Sequence, residues 1–305
     1  MRWCSFTTEA TGVRGARLAC VDPGGQRLLD VGAWVGVRAP LDLVDLVEAE
    51  PVEQQRVTAL VRAATPQDPG WRPLGQVRLL APLRAPNSLR DFLGYRDHVE
   101  RGAARRGVPV PEPWDRIPVY YKGNRRSIIG PDDPAPCPSY TDRLDYEAEV
   151  AAVIGRGGRD LAESVAGQHV FGYTLMNDWS ARDVQRDEMA CWLGPAKGKD
   201  FATTLGPWVV TPDEWDPEQD HAVTVTVDGE LWSVGSTAGR RWSFAQMIAW
   251  VSRDEDLWPT DVLGSGTFGG GCGLDLDRWL RPGATVVLAV AGLGEVVNTV
   301  ATKPG

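Results

Sequence analysis

Histidine is almost missing from this sequence: His98, His169 and His221 are the only three. A histidine in a suitable setting therefore stands out as a proton-transfer group. Lysine is nearly as scarce, at Lys122, Lys197, Lys199 and Lys303, and the 32 basic residues are outweighed by 41 acidic ones. A net charge of -9 leaves no basic face for neutralising phosphates, so no nucleic-acid partner is expected. The five cysteines are odd in number, widely spaced and without a C-x-x-C pair, which reads as reduced structural thiols and no zinc motif. No run approaches the roughly 18 apolar residues of a membrane span. The opening Met1-Arg2-Trp3-Cys4-Ser5-Phe6 lacks the apolar core of a signal peptide, so a cytoplasmic protein with no membrane partner is expected.

What is present is ordinary globular material: 305 residues, 43% hydrophobic, enough for one large domain with a small appendage. Gly15 to Val31 reads as a hairpin about Asp22-Pro23-Gly24-Gly25, followed by two short amphipathic helices around Leu41–Val47 and Val57–Ala64. Val77 to Leu83 reads as a strand stopped by proline, and a boundary is placed near 85, giving a small N-terminal α+β domain over 1–85 and a larger one over 86–305. Ser88-Leu89-Arg90-Asp91 resembles a capping box opening a helix through about Arg106. Strand signals follow at 144–154, 170–176, 206–211, 222–227, 260–266 and 284–290, with a helix over 243–251. Regular βαβ alternation is absent, so the expected class is strand-rich α+β with a mixed sheet.

Candidate chemistry concentrates in a few places. On the strand Asp145-Tyr146-Glu147-Ala148-Glu149-Val150, residues i and i+2 share a face, so Glu147 and Glu149 project together. Either that face is solvated or a hard divalent cation sits between the carboxylates. An apolar strand delivers Asp178 to its end, and Ser180 with Asp183 offers a helix start. On a continuous helix Asp91 and His98 would share one face, about 10 Å apart. Lys199, in Lys197-Gly198-Lys199, suits an oxyanion, while the glycine run from Gly264 to Gly273 could cradle a carboxylate with its N–H groups and the Thr267 hydroxyl.

Residues 85–300, and above all Leu175-Met176-Asn177-Asp178-Trp179-Ser180-Ala181-Arg182-Asp183 with the later Gly198-Lys199-x-Phe201, resemble the fumarylacetoacetate hydrolase family. The resemblance implies a mixed β-roll, a smaller N-terminal domain and a homodimer. It also implies cleavage of a carbon–carbon bond in a 1,3-diketo acid, or another reaction of a 2-oxo acid. Position by position, it implies Asp91, Glu147, Glu149 and Asp178 as ligands of Mg²⁺ or Ca²⁺, with Mn²⁺ a further option. His98 becomes the water-activating base, oriented by Asp275 where the family has glutamate. Gln185 and Lys199 would engage substrate and oxyanion, Tyr121 and Thr267 would contact substrate, and Trp179, Lys199 and Thr203 would border a second cation site. Met189 and Ala202 replace a family tyrosine and glycine near the substrate. The decarboxylase branch carries a glutamate three residues after the histidine; here Arg101 stands there and Glu100 lies one residue earlier, which favours hydrolysis.

Overall fold

The computed structural model describes residues 1–9, 15–36 and 41–304. Among these, one twelve-stranded sheet forms the frame of the molecule. Its central strand is Val170–Asp178, an apolar run buried on both faces. Ala148–Ile154 and Thr203–Val210 flank it, both antiparallel. Beyond Ala148–Ile154 come Val262–Gly264, Leu89–Phe92 and Tyr120–Lys122. On the other side Thr203–Val210 pairs with Arg2–Thr7, so the N-terminal strands extend the same sheet through Arg17–Val21 and Arg27–Asp30. Pairing is antiparallel except between Ile128–Ile129 and Thr203–Val210 and between Leu89–Phe92 and Val262–Gly264. The result is the strand-rich mixed architecture expected from the sequence.

A second, four-stranded sheet is built from two hairpins, Ala222–Val227 with Glu230–Ser236 and Thr285–Val290 with Gly294–Thr299. Glu230–Ser236 and Gly294–Thr299 are additions to the expected strands. The first turns on Asp228-Gly229, both at positive φ, an Asp-Gly signal that twists in the sense the strands require. Val225, Val286 and Leu288 of this sheet share a core with Ala148, Val150 and Ala152 and with the helix Phe244–Val251. That helix buries Phe244, Met247, Ile248 and Val251, a spacing of 0, 3, 4 and 7 that forms a single stripe. At roughly 1.5–3 kcal/mol per side chain, the stripe contributes about 6–12 kcal/mol before chain entropy. Ser243 and Gln246 close a reciprocal capping box at its start.

Two expected helix starts are corrected. Ser88 does not open a helix: Leu89–Phe92 is a strand, and the helix begins at Arg96 and runs to Arg106. The Ser88 hydroxyl donates to Asp261 at 2.6 Å, and strand pairing on both sides of 89–92 overrides the local capping pattern. Gly94 sits where the chain crosses Ser265: a Cβ there would lie 2.2 Å from the Ser265 carbonyl oxygen. Asp91 and His98 therefore do not share a helix face; one is on a strand and the other on the following helix. Likewise Ser180 lies on the short strand Ser180–Ala181 and donates to the Asp178 carbonyl at 3.0 Å, while Ala181 occupies the N-cap of the helix Arg182–Ala190. The expected strand over 144–154 is interrupted at Tyr146-Glu147, where Leu144–Asp145 turns to pair with Ser180–Ala181.

Candidate active site

Sheet register assembles the carboxylates. Asp91 is opposite Gly264, which is opposite Ala151, two residues along from Glu149; Glu149 is opposite Met176, and Asp178 ends the next strand. Four carboxylates, Asp91, Glu147, Glu149 and Asp178, thus converge with one oxygen each within 4.8 Å of one another. All four residues are buried, so the solvated alternative for the Glu147–Glu149 face does not hold. Gly264 is required by the crowding: a Cβ there would lie 2.5 Å from Asp91 Oδ1 and 3.0 Å from Glu149 Oε2.

Two buried cations attend the cluster on one side. Lys199 Nζ donates to Glu147 Oε2 and Asp178 Oδ2. Arg182 donates from Nε to Asp145 Oδ2 at 2.7 Å, from Nη2 to Glu147 Oε1 at 2.8 Å and from Nη1 to Gln185 Oε1 at 3.0 Å. Tyr121 donates its hydroxyl proton to Asp178 Oδ2 at 2.7 Å. Burial pushes the Glu147 carboxyl up, but the charges of Arg182, Lys199 and His98 outweigh it and hold the group well below the usual range.

The other side lacks such partners. Asp91 Oδ1, Glu149 Oε1 and Asp178 Oδ1 are buried without a hydrogen-bond donor. Burial, then the charge of Asp178, drives Asp91 well above an ordinary carboxyl, and burial with the charges of Asp91 and Glu147 does the same to Glu149. Burial also leaves Asp178 raised, against the opposing pull of Lys199. Unpaired buried carboxylate oxygens are costly, and oxygen-only donors in this number suit a hard divalent cation. The residues present therefore fit a metal centre.

His98 stands beside this cluster. Its Nδ1 lies 3.1 Å from Asp275 Oδ2, and its Nε2 lies 3.9 Å from Glu147 Oε1. Asp275, one methylene shorter than glutamate, still reaches the ring because the short helix Gly273–Leu276 abuts the His98 helix and the Gly270 N–H holds the same Oδ2 at 2.9 Å. Burial raises the Asp275 carboxyl, yet its hydrogen bond and attraction to His98 win and keep it below the usual carboxylate range.

The remaining candidates are more dispersed. Thr267 is buried and donates to the Ala148 carbonyl at 2.9 Å, and the Gly266 N–H donates to Glu149 Oε2 at 3.0 Å. The glycine run thus holds the protein's own carboxylates, at Glu149, Asp275 and Asp145. Trp179 donates to Thr204 at 2.9 Å, and Thr203 lies in the sheet opposite Asp178. Met189 is exposed and Ala202 is buried. Glu100 is exposed and 3.7 Å from Arg96, not from His98. Two central residues escaped sequence reasoning, Arg182 and Asp145. Arg182 lies within the family-like stretch and its signal was the excess of carboxylates, which needs buried counter-charge; Asp145 carried no comparable signal.

The family profile for the fumarylacetoacetate hydrolase C-terminal region matches residues 88–301. A Burkholderia ambifaria protein that carries only a provisional hydrolase name is 36% identical over 211 residues, covering 68% of this chain and 71% of its own. Among solved structures, a fumarylacetoacetate hydrolase from Exiguobacterium antarcticum superposes with a TM-score of 0.74 at 28% identity over 99% of both chains. A 5-carboxymethyl-2-hydroxymuconate delta-isomerase from Mycobacterium smegmatis superposes with a TM-score of 0.71 at 27% identity over 100% of both. Among the described residues no helix is long and apolar enough to cross a membrane.

Proposed function

Because this chain belongs to the fumarylacetoacetate hydrolase family, we propose that it is a divalent-metal-dependent hydrolase cleaving a carbon–carbon bond in a 1,3-diketo acid, such as fumarylacetoacetate or an acylpyruvate. The observation that carries this reading is His98, paired with a buried carboxylate at 3.1 Å and set against four clustered carboxylates. Asp91, Glu147, Glu149 and Asp178 would hold Mg²⁺, Ca²⁺ or Mn²⁺. When bound, that cation supplies positive charge where the leaving carbanion develops and a template for the substrate's oxygens.

The protein's own groups handle protons and orientation. Asp275 accepts from His98 Nδ1–H, which fixes the tautomer and leaves Nε2 to take a proton from water. The hydroxide equivalent adds to a carbonyl carbon, and collapse of the adduct breaks the bond to the neighbouring carbon, whose electron pair then takes a proton. Lys199, anchored by two carboxylates, and Gln185, anchored by Arg182, flank the developing oxyanion. Tyr121 and Thr267 contact the substrate, and Trp179, Lys199 and Thr203 border a second cation site. The active form is a cytoplasmic homodimer, which light scattering of the purified protein tests for its assembly.

The test is loss of the ultraviolet absorbance of enolised fumarylacetoacetate and a small acylpyruvate panel, with Mg²⁺, chelator controls and product identification. Chelator-sensitive release of fumarate, or of the acid from an acylpyruvate, is expected. A second reading, a 2-oxo acid isomerase, tautomerase, hydratase or decarboxylase, draws on the Mycobacterium smegmatis isomerase of the same fold. It predicts an isomeric, hydrated or decarboxylated product without carbon–carbon hydrolysis. A non-catalytic ligand-binding protein on this scaffold predicts metal and ligand binding with no turnover at all.

A further inference from the structure

A second group of ligating side chains lies beside the carboxylate cluster and differs from it in chemistry. His98, Cys272 and Asp275 each offer a nitrogen, sulfur or oxygen atom, all within 4.8 Å of one another. Cys272 is fully buried, is in no disulfide and forms the N-cap of Gly273–Leu276. Its backbone pairs with Glu147 in an isolated bridge, which fixes it against the carboxylate cluster. Asp275 sits three residues on, one turn along the same short helix, and its side chain is 1% exposed. The Arg105 guanidinium donates to the Leu274 carbonyl and ties the His98 helix to this turn.

Mg²⁺ and Ca²⁺ prefer oxygen donors and gain little from a thiol. One thiolate, one imidazole and one carboxylate are instead a zinc-type set, with a fourth position left for water. Carboxylates line this turn: Asp145 accepts from the N–H groups of Gly273 and Leu274, which directly follow Cys272, and Glu147 pairs with the Cys272 backbone. We propose that Cys272, His98 and Asp275 form an inhibitory site for Zn²⁺, distinct from the hard-cation site, whose occupancy withdraws His98 from proton transfer. As the zinc–sulfur bond forms, the thiol proton leaves to solvent. The inhibitory consequence rests on the reading of His98 as the base; the binding does not.

The test uses the whole 305-residue chain carrying Cys191→Ser, which removes the exposed thiol, and saturated with Mg²⁺. Among the described residues, Cys4, Cys20 and Cys137 belong to no group able to share an ion. Added Co²⁺ is expected to produce a near-ultraviolet thiolate-to-cobalt charge-transfer band that Zn²⁺ abolishes by displacement. Cys272→Ser should remove the band and raise the zinc concentration for half-inhibition by at least about tenfold, the loss that even outer-shell changes to a metal site cause. Absence of the band in the protein with Cys272 intact overturns the site. So does zinc inhibition unchanged by Cys272→Ser, which would place the ion among the four carboxylates. If no diketo acid is turned over, the cobalt band and its dependence on Cys272 still decide the site, so its failure is distinguishable from failure of the hydrolase reading. Should Cys272→Ser fold poorly, the band in the unaltered Cys272 background remains decisive.

Discussion

Replacing Arg182 with methionine probes the charge balance on which the whole site depends. The side chain is 5% exposed and ion-pairs with two buried carboxylates, at 2.7 Å from Asp145 and 2.8 Å from Glu147. Removing one partner of such a network typically costs about 3–5 kcal/mol, because the carboxylates left behind stay buried. The full Coulomb loss is not reached, since Asp145 keeps the N–H groups of Gly273 and Leu274 at 2.7 and 2.9 Å and Glu147 keeps Lys199. With an unfolding entropy of about 2.1 cal/mol/K per residue over 305 residues, melting should fall by about 5–8 °C. Differential scanning calorimetry measures it. A second variant, Arg182→Met with Glu147→Gln, should recover part of the loss, because one stranded charge is gone while the amide oxygen can still accept from Lys199. A melting temperature for Arg182→Met within about 1 °C of the parent, against the slope just derived, would refute the claim that this guanidinium balances the site.

Four further expectations follow from the same geometry. His98→Ala should lower kcat by about 10²–10⁴, the usual range for loss of a general base, while leaving the melting increment produced by Mg²⁺ intact; steady-state assays beside thermal scans test both halves. Mg²⁺ at a hundred times its Kd should stabilise the protein by about 2.7 kcal/mol, reversed by chelator. Glu149→Gln should cost little without metal, since Oε1 has no donor to lose and an amide oxygen can still accept from the Gly266 N–H, yet should remove most of the increment; an unchanged increment would exclude Glu149 as a ligand. The folded Asp275 carboxyl titrates below its ordinary value of 3.8, so the stability it contributes is complete above that value and is lost as pH falls through the lower folded one. Asp275→Asn should therefore flatten the acid limb of stability, read from urea midpoints from about pH 5 downward, and an unaltered limb would show that Asp275 makes no such contribution.

The sequence by itself determined whatever depends on near neighbours. Strand periodicity put Glu147 and Glu149 on one face, and they share one cluster even though the strand breaks between Asp145 and Ala148. Helical spacing located Phe244–Val251, and turn residues located the hairpin of Arg17–Val21 with Arg27–Asp30. Family likeness nominated Asp91, Asp178, His98 and Asp275 but carried no distances. Local pattern failed at Ser88 and Ser180, where capping signals compete with strand pairing that only the assembled sheet supplies. Only the tertiary structure decided which carboxylates have cationic partners and which are left bare. Asp91 meets Glu149 because the registers of Leu89–Phe92, Val262–Gly264 and Ala148–Ile154 align them, and a slip of one residue would turn each carboxylate to the opposite face. Cys272, a buried free thiol as its spacing in the sequence suggests, also brings its sulfur within 4.8 Å of a His98 ring nitrogen, 174 positions away in the numbering. Contacts of that separation are fixed by pairing and packing among many strands, and no local window of the chain encodes them.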